Sequence, residues 1–269
     1  MVKGMSDSRN ESGVDVFGPL AGLEGVGSAV RAARDAVDVL LRDRGLRRIG
    51  PEVTAEALLR GAHASAALAG SPSTLDEVRR GAGDARATGA VRITAELMGL
   101  APQVDTAPVQ VWTRLHQLAA ADLVGEDQFG HLRTSREPLP DDIDGLPEAP
   151  PADVMWERLS GLAQALTRPT TAPAIVVAAM VHAELAVLRP FGTANGVVAR
   201  AAERAVLIAR GIDPVAATVP EAGHLELAGS YSQGLRDYAA GGLTGVRDWL
   251  LRSSEVVALG AERSPLNHS

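Results

Sequence analysis

The residues best equipped for chemistry lie in one short run, RPFGTANGVVAR, at positions 189–200. Gly192 and Gly196 let backbone approach a ligand closely, Asn195 stands where a helix should begin, and Arg189 and Arg200 add positive charge. A glycine-bearing loop that opens a helix presents N–H groups and the positive end of the helix dipole, which is the basis of a phosphate or anion site. The run nevertheless lacks a proton acceptor. Arg189 stays protonated, so it cannot take a proton from a hydroxyl. Thr193 offers a neutral hydroxyl where magnesium prefers an anionic oxygen, so no metal site is expected. Two readings of the charges stand open. In one, Arg189, Thr193, Asn195, Gly196 and Arg200 hold a phosphate or nucleotide; in the other, Arg189 pairs with Glu184 or Glu203 and Arg200 lies on a solvated face.

The elements that must position this run read as helices. A period near 3.6 recurs along the chain and strand-like alternation is almost absent, which makes the fold class all-α. The spacing predicts helices over 25–43, 52–69, 75–88, 91–99, 109–123, 154–166, 174–188, 196–210, 223–239 and 245–259. Thr74 with Glu77 forms a capping-box signature, and Gly211 followed by Pro214 ends the helix that begins near Asn195. The Pro/Asp-rich stretch 125–151 is too poor in β-branched residues for a strand pair and reads as a long surface loop. The domain reading is a disordered N-terminus over 1–20, a single helical domain over 21–260 and a disordered tail over 261–269. Trp112, Trp156 and Trp249 fall at helical positions with apolar neighbours and are expected in the core.

Composition excludes several classes. The chain has 269 residues, a formal net charge of −7 and no cysteine. Disulfides, thiol nucleophiles and cysteine-ligated zinc are therefore absent, which fits a reducing compartment, and the cytoplasm is the expected location. The negative balance and the scattered arginine pairs Arg47-Arg48 and Arg79-Arg80 argue against nucleic-acid and anionic-membrane partners. The longest apolar stretch, 172–188, is interrupted by Pro173, His182 and Glu184, and reads as a buried core helix. The 6 histidines show no zinc-binding spacing, and His182 reads as a hydrogen-bonded core histidine. The segment 109–133 has the outline of the last helix and wing of a winged-helix domain, a minor reading that its acidic loop weighs against.

The run 189–200 resembles the active-site motif of the Fic (Fido) family, H-P-F-x-[DE]-G-N-G-R-x-x-R. Pro190, Phe191, Asn195, Gly196 and Arg200 match it, whereas Arg189, Thr193, Ala194 and Val197 replace the histidine, the acidic residue, a glycine and an arginine. The flanks AAMVHAELAVL and ARAAERAVLIARGIDP resemble the family's helices on either side, and weaker pieces extend the resemblance over most of 50–255. It implies a Fic-like helical domain with a central helix–loop–helix and a short or degenerate flap within 125–151. In active relatives the loop histidine is the general base, the acidic residue holds magnesium and the loop cradles nucleotide phosphates. The regulatory motif [ST]-x-x-x-E-[GN] aligns with Ser65 to Gly70, with Ala69 where its glutamate would stand.

The resemblance therefore implies a degenerate Fic-like protein with no catalytic residue at the base position. The expectation is a catalytically inactive binding or regulatory protein with a protein partner, and with ATP or another phosphate-bearing ligand as its only candidate cofactor. The alternative is a transferase of altered chemistry that modifies a protein hydroxyl from a nucleotide-type donor. A homodimer is a further implication of the family.

Overall fold

The computed structural model describes residues 14–134, 143 and 145–268. Among these the regular elements are all helices, and there is no strand. The helices are α1 (Val26–Leu41), α2 (Arg44–Leu68), α3 (Leu75–Arg79), α4 (Ala85–Leu100), α5 (Pro108–Ala120), α6 (Ala152–Leu166), α7 (Ala174–Leu188), α8 (Asn195–Ala209), α9 (Pro220–Glu226), α10 (Ala228–Ala239) and α11 (Leu243–Glu262). Where the minor winged-helix reading would place a wing, the described residues form a 3-10 turn at Glu126–Gln128.

At the centre, α7 and α8 form an antiparallel hairpin that makes the most extensive helix pair of the fold. Both are buried nearly all round, α7 because its sequence is apolar on every side, α8 although it carries Arg200, Glu203 and Arg204. Charges survive there only when paired or hydrogen-bonded. Thus Arg204 is clamped by Glu221 at 3.0 Å and by the Thr218 carbonyl at 2.6 Å. Around the hairpin, α4 and α5 pack on one side, while α10 and α11 pack against α7. α2 and α11 meet α9, and α1 closes over α11.

Several boundaries differ from the periodicity reading. The helix expected over 75–88 is two: α3 has the foreseen Thr74–Glu77 capping box, the chain turns left-handed at Gly81, and Asp84 caps α4 by accepting from the Ala87 N–H at 3.0 Å. From Asp84 the helix runs unbroken through 91–99, because the local cap outweighs an apolar pattern that spans both pieces. Likewise 223–239 divides at Leu227, and Pro220 starts the short α9 at the position where a missing N–H costs nothing. α2 begins at Arg44, ahead of Pro51, and not at 52.

Residues 14–20 and 261–268 pack against the helices, while residues 1–13 and 269 lie outside the described residues. Asp15 accepts hydrogen bonds from the Gly18 N–H at 2.9 Å and the Thr171 N–H at 2.8 Å, and Phe17 is buried beneath it. At the other end α11 extends through Glu262, and Ser264 and Pro265 are buried before a last 3-10 turn, Pro265–His268. Trp112 and Trp249 lie in the core, but Trp156 is 43% exposed: it falls on the outer face of α6, whose inner face is Met155, Leu159, Leu162 and Leu166. No helix among the described residues is long and apolar enough to cross a membrane.

Candidate functional site

The loop between α7 and α8 is held by its own residues. Asn195 accepts from the Phe191 N–H through Oδ1 at 2.9 Å and donates from Nδ2 to the Phe191 carbonyl at 3.1 Å. Its amide is thereby committed to closing the loop. Phe191 is fully buried and stacks flat on His116 of α5, with centroids 4.2 Å apart and planes 4° from parallel. Two non-glycine residues of this loop take left-handed backbone, Arg189 (φ 44) ending α7 and Ala194 (φ 58) preceding α8. Such conformations cost about 1 kcal/mol or more and persist where the surroundings fix them.

The charged residues of the run turn away from one another. Arg200 is buried, and its Nε donates to the Ser65 hydroxyl at 2.9 Å, Nη2 to the Ser65 carbonyl at 2.8 Å and Nη1 to the Tyr231 hydroxyl at 3.2 Å. A solvated Arg200 is excluded, because α8 lies inside the molecule. Arg189 reaches the Pro147 carbonyl. The carboxylates expected beside it serve other groups: Glu184 accepts from Arg158 at 2.7 Å and from the Tyr238 hydroxyl at 2.5 Å, and Glu203 accepts from two histidines. Thr193 borders a cavity on the α5 side of the loop. Ala69 and Gly70 lie at the end of α2, where Gly70 is left-handed.

The first turn of α8 is covered. Ile143 is buried against Gly196 so closely that a β-carbon there would lie 3.0 Å from Ile143 Cγ1. The stretch 125–151 is therefore more than a surface loop: Ile143 reaches inward from it, and Arg133 donates to the carbonyls of Arg189, Leu188 and Pro150 at 2.8, 3.0 and 2.6 Å. These bonds staple the segment over the loop.

Beneath Arg200 lies a closed polar network. Glu203 Oε2 accepts from His182 Nδ1 at 2.6 Å and from His224 Nε2 at 2.7 Å. His182 Nε2 then accepts from the Tyr231 hydroxyl at 2.7 Å, and His224 Nδ1 accepts from Arg252 at 3.0 Å. This pattern fixes one proton on each ring, so both histidines are neutral. Burial holds both below the ordinary histidine range, His224 at about 3. Burial opposes ionisation of Glu203, but the two donated hydrogen bonds keep it a carboxylate. His182, Glu203 and His224 have the donor types and spacing of a metal-binding trio. Their ligand atoms face one another through N–H···O bonds, and binding an ion would require stripping those protons from a fully buried site.

Solved structures resemble the whole arrangement. A Fic family protein from Desulfovibrio desulfuricans G20 aligns over 90% of this chain and 75% of its own, with a TM-score of 0.70 and 19% identity. Fic-1 from C. elegans aligns over 91% of this chain and 74% of its own, with a TM-score of 0.68 and 17% identity. The chain has the Fic fold. No protein-family model matches it, and no curated protein sequence does.

Within the Fic fold, His182 is the hydrogen-bonded core histidine expected from sequence. The sequence reading missed His116, Ile143, Glu203 as a hub, His224, Tyr231 and Arg252. Periodicity places each on a helix or loop but says nothing of partners far away in sequence. One signal was available: three charged residues within the otherwise apolar α8 demand buried partners.

Proposed function

We propose that this chain is a Fic-fold binding or regulatory protein that does not transfer nucleotides. The observation that carries this reading is the engagement of Arg200. In the motif that the loop resembles, this arginine belongs to the phosphate site, and here its guanidinium is bonded to Ser65 and Tyr231 within the protein. Arg189 at the base position cannot accept a proton, and Ile143 occupies the space in front of Gly196. Loss of a general base alone costs about 10²–10⁴-fold in rate, and here the metal ligand and the first phosphate arginine are replaced as well.

The role that remains is to present a rigid helical scaffold to a partner, which we take to be another protein or a second copy of this chain. Incubation with radiolabelled ATP and magnesium tests the central part. No label on the protein or on added polypeptides is the expected result; transfer that depends on Arg200 overturns the reading. The quadruple variant Arg189→His, Thr193→Asp, Ala194→Gly and Val197→Arg is expected to remain without transfer, because Ile143 still covers Gly196 and Ser65 still holds Arg200. Sedimentation of the full chain reports the second-copy reading directly.

A further inference from the structure

After α5 the chain makes a largely exposed turn over 125–132, whose Asp127, Gln128 and His131 help to wall a half-open cavity of about 360 Å³. Most of its hydrogen bonds stay within the turn, such as Gln128 N–H to the Gly125 carbonyl at 2.9 Å and His131 N–H to the Gln128 carbonyl at 3.2 Å. Among the described residues a single hydrogen bond ties it to another element: the Gly130 N–H donates to His116 Nδ1 of α5 at 3.0 Å. Gly130 suits this close contact. Its backbone is left-handed (φ 72), and a β-carbon there would lie 3.0 Å from Gln117 Cγ and 3.2 Å from the Thr113 carbonyl oxygen.

A histidine nitrogen accepts only while it carries no proton, so the neutral ring has its proton on Nε2, directed at the Thr193 backbone. A second proton would turn Nδ1 into a donor aimed at another donor, and the bond to Gly130 would be lost. The ring itself has reason to stay, because it lies flat on Phe191 at 4.2 Å and an aromatic face attracts a cation. The turn, held by no other hydrogen bond, is the part that moves.

The surroundings supply no counter-charge. His131, Arg133 and Asp127 line the same cavity as the ring, and the side-chain charge that acts on it is His131, which opposes protonation. On the elements packed against α5, Glu96 pairs with Arg114, Asp105 with Arg210 and Glu184 with Arg158, while Glu203 serves two histidines and Arg200 is held by Ser65 and Tyr231. Burial accordingly keeps the ring neutral, with its pKa lowered to about 4.

We propose that His116 is a proton-operated clasp, which when neutral holds the Gly130 turn against α5 and when protonated releases it, opening the cavity that the turn walls. The device is independent of whether the chain transfers nucleotides. A lowered histidine pKa in the closed state means that closure is fully favoured above the ordinary value and is lost as pH falls below it.

Hydrogen exchange of the Gly130 amide, followed by NMR on the full chain from pH 7.5 to pH 5, reads the opening. With the ring at about 4 in the closed turn and about 6.5 in the open one, the protection factor should hold level above pH 6.5 and fall about tenfold per pH unit below it. Val181 on α7 should stay better protected throughout, which separates local opening from global unfolding. His116→Gln keeps an acceptor that does not titrate and should abolish the slope, whereas His131→Gln should leave it in place. Where His116→Gln does not fold, the wild-type His116 Nδ1 signal decides, since it must report a bare acceptor at pH 7.5. A protonated Nδ1 at that pH, no slope in the wild type, a slope that survives His116→Gln or one that vanishes with His131→Gln overturns the proposal.

Discussion

Arg200 on α8 and Ser65 on α2, 135 residues apart in sequence, are joined by two hydrogen bonds, Nε to the Ser65 hydroxyl at 2.9 Å and Nη2 to its carbonyl at 2.8 Å. The contact ties the central hairpin to α2 and commits the guanidinium to acceptors within the protein, with Nη1 beside Gly196 in the first turn of its own helix. Ser65→Ala removes the hydroxyl acceptor and leaves a buried charged donor unsatisfied, so it should lower stability by about 1–3 kcal/mol in chemical denaturation. Tyr231→Phe acts on the same guanidinium, and the two losses should not add. A double-mutant cycle that shows strict additivity would break the link.

Acid should destabilise the fold earlier than its carboxylates alone would require. His182, His224 and His116 have pKa values lowered from 6.5 in the folded state, the last two to about 3 and about 4. The unfolded chain therefore binds more protons as pH falls below 6.5, and the stability present above that value is lost progressively on the way down towards 3. Each group contributes a slope of about 1 kcal/mol per pH unit inside its window. Melting temperatures measured from pH 8 to pH 5 should hold nearly level to about 6.5 and then fall. A flat profile down to pH 5 would contradict neutral histidines in the core.

Trp249 and Trp156 make a direct test of the packing. Trp249 is fully buried and donates to the Ala179 carbonyl at 2.8 Å, so Trp249→Ala should cost about 3–5 kcal/mol. Trp156→Ala should change stability by less than about 1 kcal/mol, since the ring is largely on the surface. Comparable losses in both variants would contradict the orientation of α6.

Gly89 tests the approach of α4 to α5. A β-carbon there would overlap the Ala119 carbonyl oxygen, which belongs to rigid backbone. Gly89→Ala should therefore destabilise by about 1–3 kcal/mol despite the better helix propensity of alanine. A stabilised variant would mean that the two helices stand farther apart.

Much of the fold was legible in the sequence because the central helices announce themselves. The helix 174–188 is apolar on every side and Pro173 marks its start, so its limits agree with α7 residue for residue. The breaks at Asp84 and Leu227 were hidden, because an apolar period carries across a turn as easily as along a helix. The loop 189–200 showed its place between two helices, and the residue types at its base and acidic positions, Arg189 and Thr193, are read directly from the sequence. It did not show where Arg200 would point. That direction depends on Ser65 and Tyr231, on α2 and α10, and no local pattern encodes a bond across 135 residues. The cover of Ile143 was equally invisible, for a lone isoleucine in a Pro/Asp-rich stretch carries no period at all.

The most direct test of the account is a calorimetric titration of ATP into the full chain, with and without magnesium, beside the Arg200→Ala variant. Nucleotide phosphates at the first turn of α8 would have to displace Ile143 and draw Arg200 away from Ser65 and Tyr231. The account predicts no saturable binding that depends on Arg200 at millimolar ATP, in either condition. Saturable binding that the Arg200→Ala change abolishes would contradict it and restore the loop as a nucleotide site.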